Sequence, residues 1–297
     1  MQALRFIVQC LSAVAVNSAF LLGQPLPNGI YQGPLKQVCQ PGLNCYACPY
    51  AAAACPVGAL QYFIGSGVYH FSIYVGGFLL LFGGIFGRLV CGWLCPFGLV
   101  QELLYKIRSP KVKLFAPLRH LRWAALLILV VLLPLLTGSP SYCRYLCPAG
   151  SLEGGVPFGI FSSQVRAMIG GLYFFKIGLL VFFLGASAVT FRFFCRTACP
   201  LGLIYGFFNR LALIGLSCDA DRCTDCGLCG KACPVDLAPE KGEYLSGECI
   251  RCLKCRDACP QGCFAFGLTT GKRSSRRDAG RGEERASRIR PVGKRSA

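Results

Sequence analysis

Four stretches of the chain stay apolar for long enough to approach or span the roughly 30 Å of a bilayer's hydrocarbon: residues 4–22, 68–86, 123–136 and 167–189. The third is short and carries Pro134, which a membrane helix accommodates when its neighbours satisfy the freed carbonyl. The first has the outline of a signal peptide, with Arg5 ahead of an apolar run. The run is too long, however, and no A-x-A-type site follows it, so it reads as a retained anchor. Residues 201–216 are apolar but interrupted by Asn209 and Arg210, and read as an interfacial or re-entrant helix, not a fifth span. The pattern predicts an α-helical membrane domain of four transmembrane helices over residues 1–200. A linker helix at 201–216, a polar section at 217–270 and a tail at 271–297 follow it.

Composition agrees with burial in lipid: 54% of the residues are hydrophobic, 15% are charged, and the mean hydropathy is +0.51. The formal charge of +18 gains meaning only by location. Between residues 88 and 122 stand Arg88, Lys106, Arg108, Lys111, Lys113, Arg119 and Arg122 against Glu102 alone, whereas residues 23–67 carry only Lys36. By the positive-inside rule both termini and the section after residue 200 face the cytoplasm of a bacterial or archaeal cell, and the loops beginning near Gly23 and Ser139 face outward. The tail holds ten Lys or Arg and three acids with no aromatic residue, so it is expected to be disordered. Anionic lipid suits it better than nucleic acid, which is not an expected partner.

The polar section carries the densest chemistry. Residues 223–234 read C-T-D-C-G-L-C-G-K-A-C-P and residues 249–260 read C-I-R-C-L-K-C-R-D-A-C-P, the same C-x2-C-x2-C-x3-C-P string twice. Three thiolates in a tight loop cap one face of a cubane, and the fourth Cys of each run serves the other cluster. This assigns Cys223, Cys226, Cys229 and Cys259 to one [4Fe–4S] centre, and Cys249, Cys252, Cys255 and Cys233 to a second. Zinc ribbons use four sulfurs in two pairs, not eight in two runs each closed by Pro.

A second family of motifs repeats through the membrane domain: Cys55-Pro-Val-Gly, Cys95-Pro-Phe-Gly, Cys147-Pro-Ala-Gly and Cys199-Pro-Leu-Gly. Cys91, Cys143 and Cys195 lie four residues upstream of the last three, whereas the first is preceded by Cys45-x2-Cys48 and an Ala-rich spacer. Residues four apart share a helix face, so two C-x3-C pairs supply four thiolates. One span separates each motif from the next, so alternate motifs share a side. Cys91 and Cys95 then meet Cys195 and Cys199 at the inner face around a third cluster. Cys143 and Cys147 meet Cys45, Cys48 and Cys55 at the outer face around a fourth. That outer group holds one sulfur too many, and Cys39 makes the surplus two; a disulfide or a spare thiol would absorb them. Cys10, Cys218 and Cys263 read as packing residues.

On C-G-W-L-C-P-F-G, C-R-Y-L-C-P-A-G-S-L-E-G, C-R-T-A-C-P-L-G and the two ferredoxin runs, residues 90–267 resemble the membrane-bound polyferredoxins. That family includes the ferredoxin-type quinol-oxidising membrane subunit of periplasmic nitrate reductase systems. The resemblance implies that the C-x3-C-P motifs are cluster ligands and that electrons are exchanged with the quinone pool. The extra C-x3-C-P copy and the Cys45–Cys55 element depart from the nitrate-linked subunits.

His70 and His120, at opposite ends of the domain, do not suit a bis-histidine haem. Glu153 could relay a proton from quinol or simply favour a helix N-terminus. The glycines at 76, 77, 83, 84 and 87 suit close helix packing. Arg192, Arg196 and Arg144 are expected to raise the potentials of the membrane clusters. The reading as a whole is an electron-transfer subunit of an oxidoreductase, linking quinol to a redox partner subunit. A redox assembly or regulatory factor for a respiratory metalloenzyme is the alternative.

Overall fold

In the computed structural model, residues 1–22, 29–67 and 69–268 are described, and the basic tail expected at 271–297 lies outside them. Each apolar stretch contains a helix: α1 over Gln2–Val16, α3 over Tyr69–Phe86, α5 over Ala116–Thr137 and α6 over Gly171–Val189. Between them lie α2 (Pro56–Ser66) and α4 (Pro96–Tyr105), and α7 (Pro200–Phe208) follows. Two of these, α5 and α6, are long and apolar enough to cross a membrane, whereas α1 and residues Ile73–Phe86 of α3 are shorter apolar helices. Within α5 the turns widen to π-helix over Ala125–Leu132, just ahead of Pro134. A wide turn there accommodates the proline's missing N–H without breaking the helix.

The side-chain distribution is inverted relative to a soluble bundle. On α1 the polar Arg5 and Gln9 are buried, while Leu4, Ile7, Leu11 and Val14 are 52–64% exposed. On α5 and α6, Leu135, Leu136, Phe174 and Val181 are 58–72% exposed. Buried charges demand partners, and they have them. Glu102 on α4 pairs with Arg5 at 2.6 Å and with Arg192 at 2.6 Å, while Glu248 pairs with Arg122 and Arg88.

The helix expected over 201–216 stops at Phe208. Asn209 explains the stop, because its side chain is buried and engaged outside the helix. Its Oδ1 accepts from the Arg88 amide at 2.8 Å, and its Nδ2 donates to the Ser246 and Cys249 carbonyls at 2.8 and 2.7 Å. The chain turns there into β1 (Ile214–Cys218), which pairs antiparallel with β2 (Phe264–Leu268), from Ile214 opposite Leu268 to Cys218 opposite Phe264. The ferredoxin section is therefore docked on the helices. Gly206 and Gly247 meet so closely that a Cβ on Gly206 would lie 2.9 Å from the Gly247 carbonyl. Trp93 donates to the Arg251 carbonyl at 3.0 Å and stacks on Phe266, and Arg251 reaches the Phe86 and Asn209 carbonyls at 3.1 and 2.6 Å.

Candidate iron–sulfur centres

The string Cys-Pro-x-Gly is a helix start. In all four copies the cysteine is the N-cap in extended conformation, and Pro occupies the first turn, where its missing N–H costs nothing. In two copies the glycine amide also donates to the capping sulfur, Gly150 to Cys147 and Gly202 to Cys199, each at 3.4 Å. Each sulfur sits at the positive end of a helix, which favours thiolate and any anionic group bound to it.

The motifs meet as alternate pairs. A Cβ on Gly58 would lie 3.7 Å from the Cys143 sulfur, and one on Gly150 would lie 3.6 Å from Cys45 and 3.9 Å from Cys147. Cys147 is close enough to interact electrostatically with Cys143, Cys45 and Cys55, so these four thiols form one set. Cys91, Cys95, Cys195 and Cys199 form the other. The structure leaves Cys48 out of the first set: its sulfur lies 3.9 Å from Asn17 Oδ1. Cys39 stands beside Cys55 and is itself bridged to Ala54.

An approximate twofold relates the halves of the second set. Arg88 and Arg192 each stand three residues before a cysteine, and each is fully buried. Arg88 donates to the Cys195 carbonyl at 3.1 Å, and Arg192 donates to the Cys91 carbonyl. The repeated R-x2-C-x3-C-P spacing was the available signal for Arg88, which the charge count alone had assigned to a loop. Of the other arginines named from sequence, Arg196 turns to Asp236 at 3.2 Å and Arg144 is exposed.

The residue six positions after each capping cysteine carries the second symmetry. Gln61 and Gln101 donate from Nε2 to the sulfur of the opposite motif, Cys143 at 3.3 Å and Cys195 at 3.0 Å. The other two copies place Glu153 and Tyr205 there. Glu153 Oε2 accepts from the Cys45 amide at 2.6 Å, while the Tyr205 hydroxyl is buried without a protein partner. Burial pushes the Glu153 carboxyl up to about 8, against the pull of the Cys45 N–H, so it keeps its proton at neutral pH. His120, at the start of α5, is exposed and touches neither set.

In the ferredoxin section Cys223, Cys226, Cys229 and Cys259 line one cavity, and Cys233, Cys249, Cys252 and Cys255 line another. The crossed sharing expected from the spacing is thus the arrangement of the thiols. Cys263 also lines the first cavity, 3.2 Å from Cys259 and 3.8 Å from Cys218, so this site carries more sulfur than the motif predicts.

One helix ties the series together. Along α1, Gln2 donates to the Cys252 carbonyl at 2.9 Å, Arg5 to the Gly92 carbonyl at 3.1 Å, and Ser12 to the Leu94 carbonyl at 2.9 Å. Val16 accepts from the Ala52 amide at 2.9 Å. At about 1.5 Å per residue, neighbouring sets are on the order of 10 Å apart along this axis. The two membrane-domain sets are therefore close neighbours, not stations at opposite faces, because the segment before Cys45 folds back onto Cys95. A Cβ on Gly42 would lie 3.0 Å from the Cys95 Cα.

Comparisons with known proteins agree with this chemistry. Residues 69–114, 119–156 and 173–216 match the model of a 4Fe-4S binding domain, and residues 215–260 match that of a 4Fe-4S dicluster domain. The methylamine utilization ferredoxin-type protein MauN of Methylobacillus flagellatus is 30% identical over 212 residues, 68% of this chain and 68% of MauN. The chain belongs to the polyferredoxin family. An uncharacterized protein of Methanocaldococcus jannaschii is 31% identical over 204 residues, 64% of this chain and 76% of the relative. The regulatory protein NosR of Pseudomonas aeruginosa is 30% identical over 195 residues, 61% of this chain but 25% of NosR. No solved structure matches.

The residues present fit iron–sulfur clusters. All 21 cysteines are free thiols, as ligands of iron must be. Buried polar groups without partners are costly, and both the side-chain amide of Asn44, next to Cys45, and the Tyr205 hydroxyl are buried unpartnered beside the sulfur sets. Cluster sulfides would accept from the Asn44 Nδ2 and the Tyr205 hydroxyl. Iron–sulfur electron transfer is the activity of this family.

Proposed function

We propose that the protein relays electrons between the quinone pool and a redox partner subunit, as a four-span component of a bacterial or archaeal cytoplasmic membrane with both termini inside. The observation that carries this reading is the succession of three sulfur sets along α1, from the Cys252 set of the ferredoxin section to the Cys45 segment, with the fourth set beside the first of them in the ferredoxin section. The proposed ligands are Cys223, Cys226, Cys229 and Cys259; Cys249, Cys252, Cys255 and Cys233; Cys91, Cys95, Cys195 and Cys199; and Cys45, Cys55, Cys143 and Cys147. A [4Fe–4S] cluster supplies one-electron redox chemistry with little change in geometry. The chain's own part is to space the sets, exclude water and fix the potentials. Arg88 and Arg192 favour the more negative, reduced state of their set, and Gln61 and Gln101 do the same through hydrogen bonds to sulfur. The exposed apolar faces of α1, α3, α5 and α6 and the polar interior support a lipid surround, in which a quinone is the natural mobile carrier.

Anaerobically purified protein is expected to carry about sixteen iron atoms per chain, four for each cubane; a count near eight would remove the membrane-domain clusters. In proteoliposomes a quinol should reduce those clusters. Failure with full iron loading would favour the alternative of a redox assembly or regulatory factor, the class to which the name of NosR points. Gln101→Leu removes one N–H···S bond from Cys195. It should lower the midpoint of that cluster by roughly 20–60 mV, the one-electron equivalent of about 0.5–1.5 kcal/mol. Redox-poised EPR would read the shift, and an unchanged midpoint would refute the role.

A further inference from the structure

At one end of the segment that joins the two sulfur sets a Cβ on Gly42 would lie 3.0 Å from the Cys95 Cα, and at the other end the Cys45 sulfur lies 3.6 Å from where a Cβ on Gly150 would stand. Leu43 and Asn44 lie between these contacts. Both residues are buried, at 2% and 1% exposure. Gly42 makes the approach achievable, since any side chain there would press on Cys95 and Pro96. A second link runs in parallel. Tyr142 precedes Cys143, is fully buried, and donates from its hydroxyl to the carbonyl of Ala198, the residue before Cys199, at 3.4 Å. A path across packed side chains crosses non-bonded gaps, each of which couples donor and acceptor more weakly than a covalent or hydrogen bond.

We infer that the Leu43–Asn44 peptide is the electron bridge between the two membrane-domain sulfur sets. From Cys95 the path enters at Gly42, crosses the backbone of Leu43 and Asn44 and leaves through Cys45 to its sulfur. One electron passes, no bond is made or broken, and no proton moves. The inference also explains why the first repeat departs from the C-x3-C-P pattern. Its second ligand, Cys45, is displaced upstream to the end of the bridging segment, so that ligation fixes the bridge in place. This rests on the cluster-bearing reading above, and the test separates the two.

Full-length protein is first assayed for iron, so that loss of the clusters is recognised as such. With both membrane clusters reduced, their EPR signals should show spin–spin broadening appropriate to a separation on the order of 10 Å; two full-strength signals without interaction would overturn the bridge while leaving the clusters intact. A glycine inserted between residues 43 and 44 should slow flash-initiated electron transfer between the sets several-fold at unchanged iron content. Wild-type rates in the insertion variant would overturn the proposal. If the insertion fails to load iron, the same transfer measured for a glycine inserted between residues 42 and 43, with its iron content checked in the same way, decides.

Discussion

Glu102→Gln is expected to destabilise the protein by about 3–5 kcal/mol, the cost of stranding buried charge. Glu102 is 8% exposed and holds two arginines from different parts of the chain, Arg5 of α1 and Arg192 beside the second sulfur set. The amide is isosteric but cannot balance them. Burial alone would raise the Glu102 carboxyl; the two guanidiniums outweigh it and hold the group at about 2. A depressed carboxylate contributes stability that is complete above its ordinary value near 4.5 and is lost as pH falls through the folded value. The wild type should therefore show no loss from this group between pH 8 and pH 5, and a progressive loss between about 4.5 and 2. Detergent-solubilised protein followed by thermal unfolding across that range gives the profile. A variant as stable as the wild type at pH 7 would show that the triad is not balancing charge.

Gly92→Ala should undock the ferredoxin section. Gly92 follows Cys91, and a methyl group there would be driven into the Ile250 carbonyl, which is backbone and cannot rotate away. Ile250 follows Cys249, so two sulfur sets approach each other through a contact with no room for a side chain. Overpacking of this kind costs about 1–3 kcal/mol where the structure can relax. Here relaxation means separating the two sections, which breaks the Trp93–Arg251 and Arg88–Gly247 bonds together. The expected result is a protein that keeps its iron, passes electrons slowly from the ferredoxin section to the helices, and is cleaved more readily by protease near residues 209–213. Unchanged proteolysis and transfer would mean that the contact is not needed.

How much of this was legible in the sequence depends on whether the signal was local. The ferredoxin runs carry their geometry in their spacing, and the structure gathers the thiols as that spacing implies. Pairing of Cys91 and Cys95 with Cys195 and Cys199 followed from parity along the chain. The outer set did not. Cys45 and Cys48 look alike on paper, and only the fold shows Gly150 and Gly154 opening space at Cys45 while Cys48 turns to Asn17. Residues 214–218 were equally opaque, because a short apolar run reads as helix or strand until its partner, 50 residues later at 264–268, is known. The buried ion pairs are long-range by nature: Arg5 finds Glu102, and Arg122 finds Glu248.

The thiol-capped helices make scaffold and cofactor inseparable. In each Cys-Pro-x-Gly copy the atom that begins the helix is also an atom that would bind iron, so secondary structure and metal loading share a residue. An apoprotein of this design is not an empty vessel awaiting its contents. Its helices would start on protonated, weaker caps, and the gain from iron insertion would appear as ordering of the bundle itself.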